Sequence, residues 1–237
     1  MRLNDPDLVR REYADESRFA ARAAAWASAT GPDPRELAFE AVAEVVPYRV
    51  LEVGCGRGEA AERIQRDAGA EVIALDQSER MVELTRARGV SARRGDVQNL
   101  PFDDSSFDCV LAAWMLYHVP DLDRALAELA RVLRSGGRLV AVTNTEFNLP
   151  ELWTLFGERA LRLHGFNAEN GEEILRRHFP FVTRRDARGT LRFADRDAAL
   201  RYVEASTTRS HLAAELPFWE GPLECGRFSV VFVAEKA

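Results

Sequence analysis

A candidate ligand-binding turn lies in the stretch "VLEVGCGRGEAAERI" (50–64), where an apolar run passes into a glycine-rich segment. Three glycines at alternate positions let the backbone bend sharply and approach a ligand closely. Glu52 precedes them, and Asp76 follows Glu52 by 24 residues, the length of one helix and one strand. A carboxylate at that distance is suited to accept hydrogen bonds from a ribose diol. Asp96 follows the next strand-like run, so three carboxylates would line one edge of a sheet.

The order of the glycines narrows the kind of ligand. A dinucleotide fingerprint is G-x-G-x-x-G, with the pyrophosphate at a helix N-terminus, whereas this chain has Gly54-Cys55-Gly56-Arg57-Gly58-Glu59. The third glycine comes one position early, and the negative charge of Glu59 would repel a pyrophosphate. The lysine and Ser/Thr of a P-loop are also missing, which argues against a nucleoside triphosphate. The pattern favours a nucleoside whose other end is cationic or zwitterionic and carries no phosphate.

The elements that must position these residues alternate between strands and helices. Such alternation predicts βαβ units on a parallel sheet, an open doubly wound α/β fold whose ligands lie at the carboxyl ends of the strands. The predicted strands are 49–53, 71–76, 90–94, 107–113 and 138–143, with helices at 59–67, 78–88 and 123–133 between them. Helices are also predicted at 7–29 and 34–46, followed by two within 145–181, and then by a strand at 181–193, a helix at 195–206 and a last strand at 228–235.

We therefore expect a single domain over residues 1–237. Its predicted parts are N-terminal helices (1–47), a ligand-binding core (48–144), an inserted helical cap (145–181) and C-terminal strands with a helix (182–237).

Three stretches together resemble the class I S-adenosylmethionine-dependent methyltransferases, in particular the small-molecule branch related to the ubiquinone/menaquinone-biosynthesis type. The stretches are "VLEVGCGRGEAAERI", "VIALDQSERMVELTRARG" and "RRGDVQNLPFDDSSFDCVLAAWMLYHVPDLDRALAELARVLRSGGRLVAVT", and the resemblance runs from about Arg49 to Thr143. It implies a Rossmann-like, doubly wound, mainly parallel seven-stranded sheet with a helical N-terminal extension and an inserted helical cap. It also implies S-adenosylmethionine as cofactor and S-adenosylhomocysteine as product.

The resemblance further implies a set of cofactor-binding residues. The methionine part would lie against the glycine loop, the ribose hydroxyls against the carboxylate that ends the second strand, and the adenine beside the loop after the third strand. Glu52, Gly54 and Gly56 would hold the methionine part, and the backbone of Ala113 would touch the same end. Asp76 would bind the ribose hydroxyls. Gln77, Asp96 and Val97 would lie beside the adenine.

Methyl transfer from a sulfonium is an in-line displacement, so alignment and the exclusion of water are the main tasks of the protein. If the acceptor is a hydroxyl or an ammonium, a base must remove a proton. His118 in "WMLYHVPD" is the candidate, against the alternative of a positioning or packing role, and Tyr117 is a weaker candidate to orient the acceptor. Aromatic residues could line an acceptor pocket or form the cap's own core: Tyr13, Trp26, Phe147, Trp153, Phe156, His164 and Phe166. No anion-binding cluster stands out, which favours an apolar or aromatic acceptor.

Composition limits the partners. A formal net charge of -6 opposes nucleic-acid binding, three widely spaced cysteines fit a reducing cytoplasm, and four scattered histidines indicate no metal site. No run is apolar enough for a membrane span, and we expect a monomer or homodimer. The sequence thus predicts O- or N-methylation of a small molecule. The alternatives are methylation of RNA or protein, a non-catalytic S-adenosylmethionine-binding protein, and an NAD-type dehydrogenase, which Glu59 opposes.

Overall fold

A computed structural model describes residues 25–157, 165–206 and 209–237. This part of the chain forms one sheet of seven strands: β1 (Arg49–Val53), β2 (Glu71–Asp76), β3 (Ser91–Arg94), β4 (Phe107–Ala113), β5 (Leu133–Asn144), β6 (Phe181–Phe193) and β7 (Leu223–Glu235). Their order across the sheet is β3-β2-β1-β4-β5-β7-β6. The strands β1 to β5 run parallel to one another, and β7 runs antiparallel to both β5 and β6. The predicted doubly wound, mainly parallel seven-stranded sheet is confirmed.

Helices cover both faces of this sheet. They are α1 (Pro34–Ala43), α2 (Glu59–Arg63), which continues as a π-helical turn (Ile64–Ala68), α3 (Glu79–Ala87), α4 (Leu122–Val132), α5 (Pro150–Thr154), α6 (Gly171–Leu175) and α7 (Arg196–Glu204). Short 3-10 segments lie at Trp26–Ser28, Leu116–His118 and Ser210–Glu215. Ser78 caps α3, Asp121 caps α4 and Asp195 caps α7, each by accepting a backbone N–H of the first turn. These caps fix where the helices begin. The predicted N-terminal helix 7–29 lies mostly outside the described residues.

Two apolar cores lie on opposite faces of the sheet, and alternate strand residues enter each. Leu51 and Val53 of β1 pack on the α4 side, while Val50 packs on the side of α1, α2 and α3. Because both faces are covered, the central strands are nearly continuous apolar runs, as buried parallel strands are. Glu52 interrupts the apolar run of β1, on the same side as Val50.

The outermost strands project beyond the sheet. β6 and β7 pair from Phe181↔Glu235 as far as Phe193↔Leu223, whereas β5 pairs with β7 only as far as Asn144↔Ser229. Residues 188–193 and 223–228 therefore form a two-stranded ribbon past the end of β5. Since β5 is parallel to β4, the ribbon projects from the edge that holds the carboxyl ends of the parallel strands.

A third apolar core forms on this ribbon. We call the ribbon, with residues 25–30, 149–157, 194–206 and 209–222, the distal lobe. Its first segment is tied to the ribbon by Thr30, whose N–H donates to the Thr190 carbonyl at 2.9 Å, and by the Ser28 hydroxyl, which donates to the Arg192 carbonyl at 2.8 Å. The buried residues of this core are Leu149, Leu152, Trp153, Leu191, Phe193, Ala199, Val203, Leu216 and Cys225. The distal lobe thus stands at the ligand-binding edge of the sheet.

Candidate cofactor and active site

The glycine loop joins β1 to α2 and is held against the end of β2. The N–H groups of Gly54 and Cys55 donate to the Leu75 carbonyl at 2.7 and 3.2 Å. Gly54, Gly56 and Gly58 have φ values of +68°, +53° and +75°, a region that side-chain-bearing residues rarely adopt. A Cβ at Gly54 would lie 2.7 Å from the Met115 Cβ, whereas a Cβ at Gly56 would meet nothing within 4 Å. The loop therefore packs tightly at its start and borders open space at Gly56.

Asp76 ends β2 and organises the loop beside it. One carboxylate oxygen accepts the Gly56 N–H at 3.0 Å, and the other accepts the Ser78 N–H at 2.9 Å. The side chain is buried, with 9% of its surface exposed. Burial raises the pKa of Asp76, and backbone hydrogen bonds, led by the one from Ser78, lower it in part. The structure therefore brings together the glycine loop and the carboxylate that the sequence placed on the next strand.

Glu52 is the most deeply buried carboxyl group at this edge, with 4% of its surface exposed. Burial raises its pKa to about 8; a hydrogen bond from the Ala61 N–H opposes the rise and the charge of Asp76 adds to it. Its Oε2 atom is buried and has no hydrogen-bond partner among the described residues. A buried acceptor in this condition is complementary to a donor or a cation.

The loop after β3 carries the third carboxylate. Asp96 is exposed, and both its oxygens lie 3.0 Å from the Gln98 amide nitrogen. The Gln98 amide oxygen in turn accepts the Asp121 N–H at 3.0 Å. Val97 packs in the α4-side core with 6% of its surface exposed, and Gln77 is exposed beside Asp76. Sequence reasoning missed Gln98, whose signal is its position two residues after Asp96.

The end of β4 contains a residue that sequence reasoning also missed. Ala113 pairs with Val142 of β5, and Trp114, the next residue, has a φ of +53°, which is strained for a bulky side chain. The Trp114 indole N–H donates to the Asn144 Oδ1 atom at 3.2 Å, and the Ser229 hydroxyl donates to the same atom at 2.7 Å. These bonds tie the end of β4 to the base of the ribbon.

His118 lies at the end of the 3-10 segment that follows β4. Its ring is partly buried and lies edge-on to the Tyr117 ring, with 4.5 Å between the centroids. The parallel strand order places this segment at the same sheet edge as Glu52 and Asp76.

The aromatic residues divide between the cores. Trp153 is buried in the core of the distal lobe, with Trp26 and Phe156 packed around it. Phe166 is buried against Phe232 in the α4-side core. Phe147 is half exposed, while Tyr13 and His164 lie outside the described residues. For Trp153 and Phe166 the structure favours the packing role.

The described residues contain neither a metal-binding cluster nor a membrane-spanning helix. Within 25–157, 165–206 and 209–237, no group of three His, Cys, Asp or Glu side chains could hold a metal ion. No helix in these ranges has the length and apolar character needed to span a bilayer.

The loop geometry predicts that alanine is tolerated differently at two glycines. Both Gly54→Ala and Gly56→Ala place a side chain at positive φ, which costs roughly 1–2 kcal/mol, but only Gly54→Ala also meets Met115. We expect Gly54→Ala to lower the free energy of unfolding by about 1–3 kcal/mol more than Gly56→Ala, measured by urea denaturation without cofactor. Equal losses would contradict the packing at Gly54.

Comparison with known proteins agrees with this geometry. Residues 51–141 match the methyltransferase domain family. The chain is 36% identical over 129 residues to the ubiquinone/menaquinone biosynthesis C-methyltransferase UbiE of Teredinibacter turnerae, covering 50% of each protein. It is 37% identical over 175 residues to phthiotriol/phenolphthiotriol dimycocerosates methyltransferase 1 of Mycobacterium ulcerans, covering 68% of this chain and 65% of that protein. The chain thus spans less than two thirds of the length of either curated relative.

A solved structure shares the fold. The YcgJ protein of Bacillus subtilis superposes with a TM-score of 0.62 at 18% identity, over 85% of this chain and 98% of that one. The matched family covers β1 to β5, the strands that carry the glycine loop, Asp76 and Asp96. Residues 51–141 therefore form a methyltransferase domain of the class I S-adenosylmethionine-dependent type, and the chain is similar to ubiquinone/menaquinone-biosynthesis methyltransferases over about half of its length.

Proposed function

We propose that this protein transfers a methyl group from S-adenosylmethionine to a small organic acceptor. The observation that carries the proposal is the buried Glu52 Oε2 atom, which has no partner among the described residues and belongs to the strand that leads into the glycine loop. A cofactor with a cationic methionine end and no phosphate complements this carboxyl group. The open space beside Gly56 leaves room for such a cofactor.

The chain offers a partner for each part of the cofactor. Asp76 keeps acceptor capacity for ribose hydroxyls, because the Gly56 and Ser78 N–H groups donate to different oxygens and a carboxylate has about four lone-pair sites. Asp96 would accept from the adenine amino group in place of the Gln98 amide. Glu52, Gly54, Gly56 and the Ala113 backbone would hold the methionine end, with Gln77 and Val97 beside the adenine.

When bound, the cofactor supplies an electrophilic methyl group on a sulfonium that leaves as a neutral thioether. The residues of this chain have the tasks of holding the two reactants in line and excluding water, which can lower the barrier by several kcal/mol. The distal lobe supports this proposal because it projects from the same sheet edge and has an apolar core of its own. We assign acceptor binding to the part of this sheet edge that lies next to the distal lobe.

The acceptor atom is a finer part of the proposal. We favour oxygen or nitrogen, since His118 follows β4 at the ligand edge and could accept the proton that either acceptor loses. Carbon is the competing acceptor atom, because the Teredinibacter relative is named a C-methyltransferase. Transfer of a ¹³C-labelled methyl group, followed by its NMR chemical shift in the product, distinguishes oxygen, nitrogen and carbon.

The net charge of -6 supports a small molecule over RNA, because a negative protein gains nothing from a phosphate backbone. Calorimetric titration with S-adenosylmethionine, S-adenosylhomocysteine and NAD tests the proposal. We expect both sulfur ligands to bind and NAD not to bind. If neither sulfur ligand binds, the proposal is wrong; if both bind but no hydroxyl-, amino- or quinone-bearing aromatic compound is methylated, the non-catalytic alternative is favoured.

Replacing His118 tests its role as the base. If it removes the acceptor proton, His118→Ala lowers turnover by about a hundredfold or more and leaves S-adenosylmethionine affinity unchanged. Turnover is measured by single-turnover methyl transfer to an acceptor from the same screen. His178→Ala is the matched control, because His178 has no role in the proposed site. Its Nε2 atom lies 3.2 Å from the Oδ1 atom of Asp123, a residue of α4. Wild-type turnover in His118→Ala would assign His118 to packing.

A further inference from the structure

The distal lobe contains a buried arginine. Arg209 has 9% of its surface exposed, and its guanidinium carbon lies 4.1 Å from the centroid of the Trp153 ring. Trp153 itself lies near Phe156 and Tyr202, with ring centroids 6.1 and 6.3 Å away. Arg209 therefore places a cation among the aromatic rings of the distal lobe.

This cation has no anionic partner in the part of the chain that the structure describes. No carboxylate there forms an ion pair with Arg209, and its guanidinium donates no hydrogen bond to these residues; it lies over the Trp153 ring. Burial lowers the pKa of Arg209 to about 10, so the side chain stays positively charged at neutral pH. Arg227, the other buried arginine of the described residues, differs because it donates to the Thr30 and Pro32 carbonyls at 2.8 Å each.

A second donor in the same lobe also lacks an acceptor. The Trp219 indole N–H is buried and has no hydrogen-bond partner among the described residues, and Trp219 packs against the core that holds Trp153. Burying a polar group without a partner costs free energy, and burying an unpaired charge costs more. A ligand that offers acceptor atoms to the distal lobe would therefore be stabilised by these donors.

We propose that the acceptor of methyl transfer carries a carboxylate, which the distal lobe binds through the Arg209 guanidinium while aromatic side chains contact the acceptor's apolar body. This inference rests on the proposed function and names its substrate class. A guanidinium stacked on a ring keeps its in-plane N–H groups for a planar anion with two oxygens, which a carboxylate matches. A phosphate dianion fits less well, because the lobe's other buried arginine already donates to two carbonyls.

The sequence did not predict a carboxylate on the acceptor. It shows no anion-binding cluster, since Arg209 is a lone arginine in "TTRSH", and nothing local distinguishes a buried arginine from an exposed one. The proposal keeps the expected aromatic acceptor and adds a carboxylate group to that molecule.

The test compares acids with their neutral methyl esters. The probes are 4-hydroxybenzoate, 4-hydroxycinnamate and indole-3-acetate with the three corresponding methyl esters, titrated calorimetrically at saturating S-adenosylhomocysteine. We expect the wild type to bind at least one acid about tenfold or more tightly than its ester, and Arg209→Met to lose that preference. Arg209→Lys keeps the charge without the planar fork and should show an intermediate preference. Arg201→Met, which removes a charge from the exposed face of α7, is the matched control and should behave as the wild type.

The melting temperature without ligand supplies a second readout. Because Arg209→Met removes a buried unpaired charge, its melting temperature should equal or exceed that of the wild type. The proposal is overturned if the wild type prefers no acid over its ester, or if Arg209→Met keeps the preference. S-adenosylhomocysteine should bind all four proteins equally; failure of the wild type to bind it would overturn the proposed function instead, so the two failures are distinguishable.

Discussion

Asp76→Ala is expected to lower the affinity for S-adenosylmethionine by at least about tenfold, measured by calorimetric titration. A hydrogen bond to a charged group contributes about 1.5–3 kcal/mol, and about 1.4 kcal/mol corresponds to a tenfold change in affinity. The ribose diol would lose one or two such bonds. The loss has a second source, because Asp76 also accepts the Gly56 and Ser78 N–H groups that shape the loop.

A matched variant separates the two sources. Asp76→Asn keeps the size of the side chain and one carbonyl acceptor, so it should retain part of the loop structure while losing the charge. Its affinity should lie between those of the wild type and Asp76→Ala. Asp103→Ala, at an exposed position in the loop before β4, controls for the removal of a surface carboxylate. Unchanged affinity in Asp76→Ala would contradict the ribose assignment.

Glu52→Gln is expected to change how stability depends on pH. The pKa of Glu52 is raised to about 8 in the folded protein, from an ordinary value of 4.5. Between these values the folded state holds a proton that the unfolded state has released, so the free energy of unfolding falls as pH rises through this window. The glutamine variant has no such proton. From pH 5.5 to 7.5 the wild type should lose about 2 kcal/mol more stability than Glu52→Gln, measured by urea denaturation without cofactor.

The same proton should affect cofactor binding. If Glu52 faces the cationic methionine end, binding favours its ionised form and releases the proton. Wild-type affinity for S-adenosylmethionine should then rise between pH 6 and 8, by up to about tenfold per unit, whereas Glu52→Gln should lack this rise and bind more weakly at pH 8. Titration of the cofactor's own groups is common to both proteins, so the difference between their profiles isolates Glu52. Parallel profiles would contradict the assignment.

Most strand positions could be predicted because apolar runs bounded by glycine and charged residues have a local signature. The prediction for β6, 181–193, matches the structure, and those for β1, β2 and β4 match as well. The start of β7 was placed at 228 but lies at Leu223. Residues 223–227 have no continuous apolar run, because they belong to the ribbon beyond the sheet, where only one face is covered. Similarly, β5 begins at Leu133 and not at 138, since the "RSGG" stretch forms an irregular pairing with β4.

The glycine loop, and the carboxylates at or just after the ends of β1, β2 and β3, could be identified from the sequence, and with them the cofactor class. Their chemistry is set by short-range spacing: a strand, a tight turn and a helix return each carboxylate to the same sheet edge. Three features became visible only in the folded protein: Glu52 is buried with an oxygen that has no partner among the described residues, Trp114 has a positive φ, and Arg209 lies over Trp153. Residues 153 and 209 are far apart in the chain, and whether such a pair meets depends on long-range packing that leaves no periodic signal in the sequence. The proposed acceptor side of the site therefore rests on the fold, while the proposed cofactor side rests on local motifs.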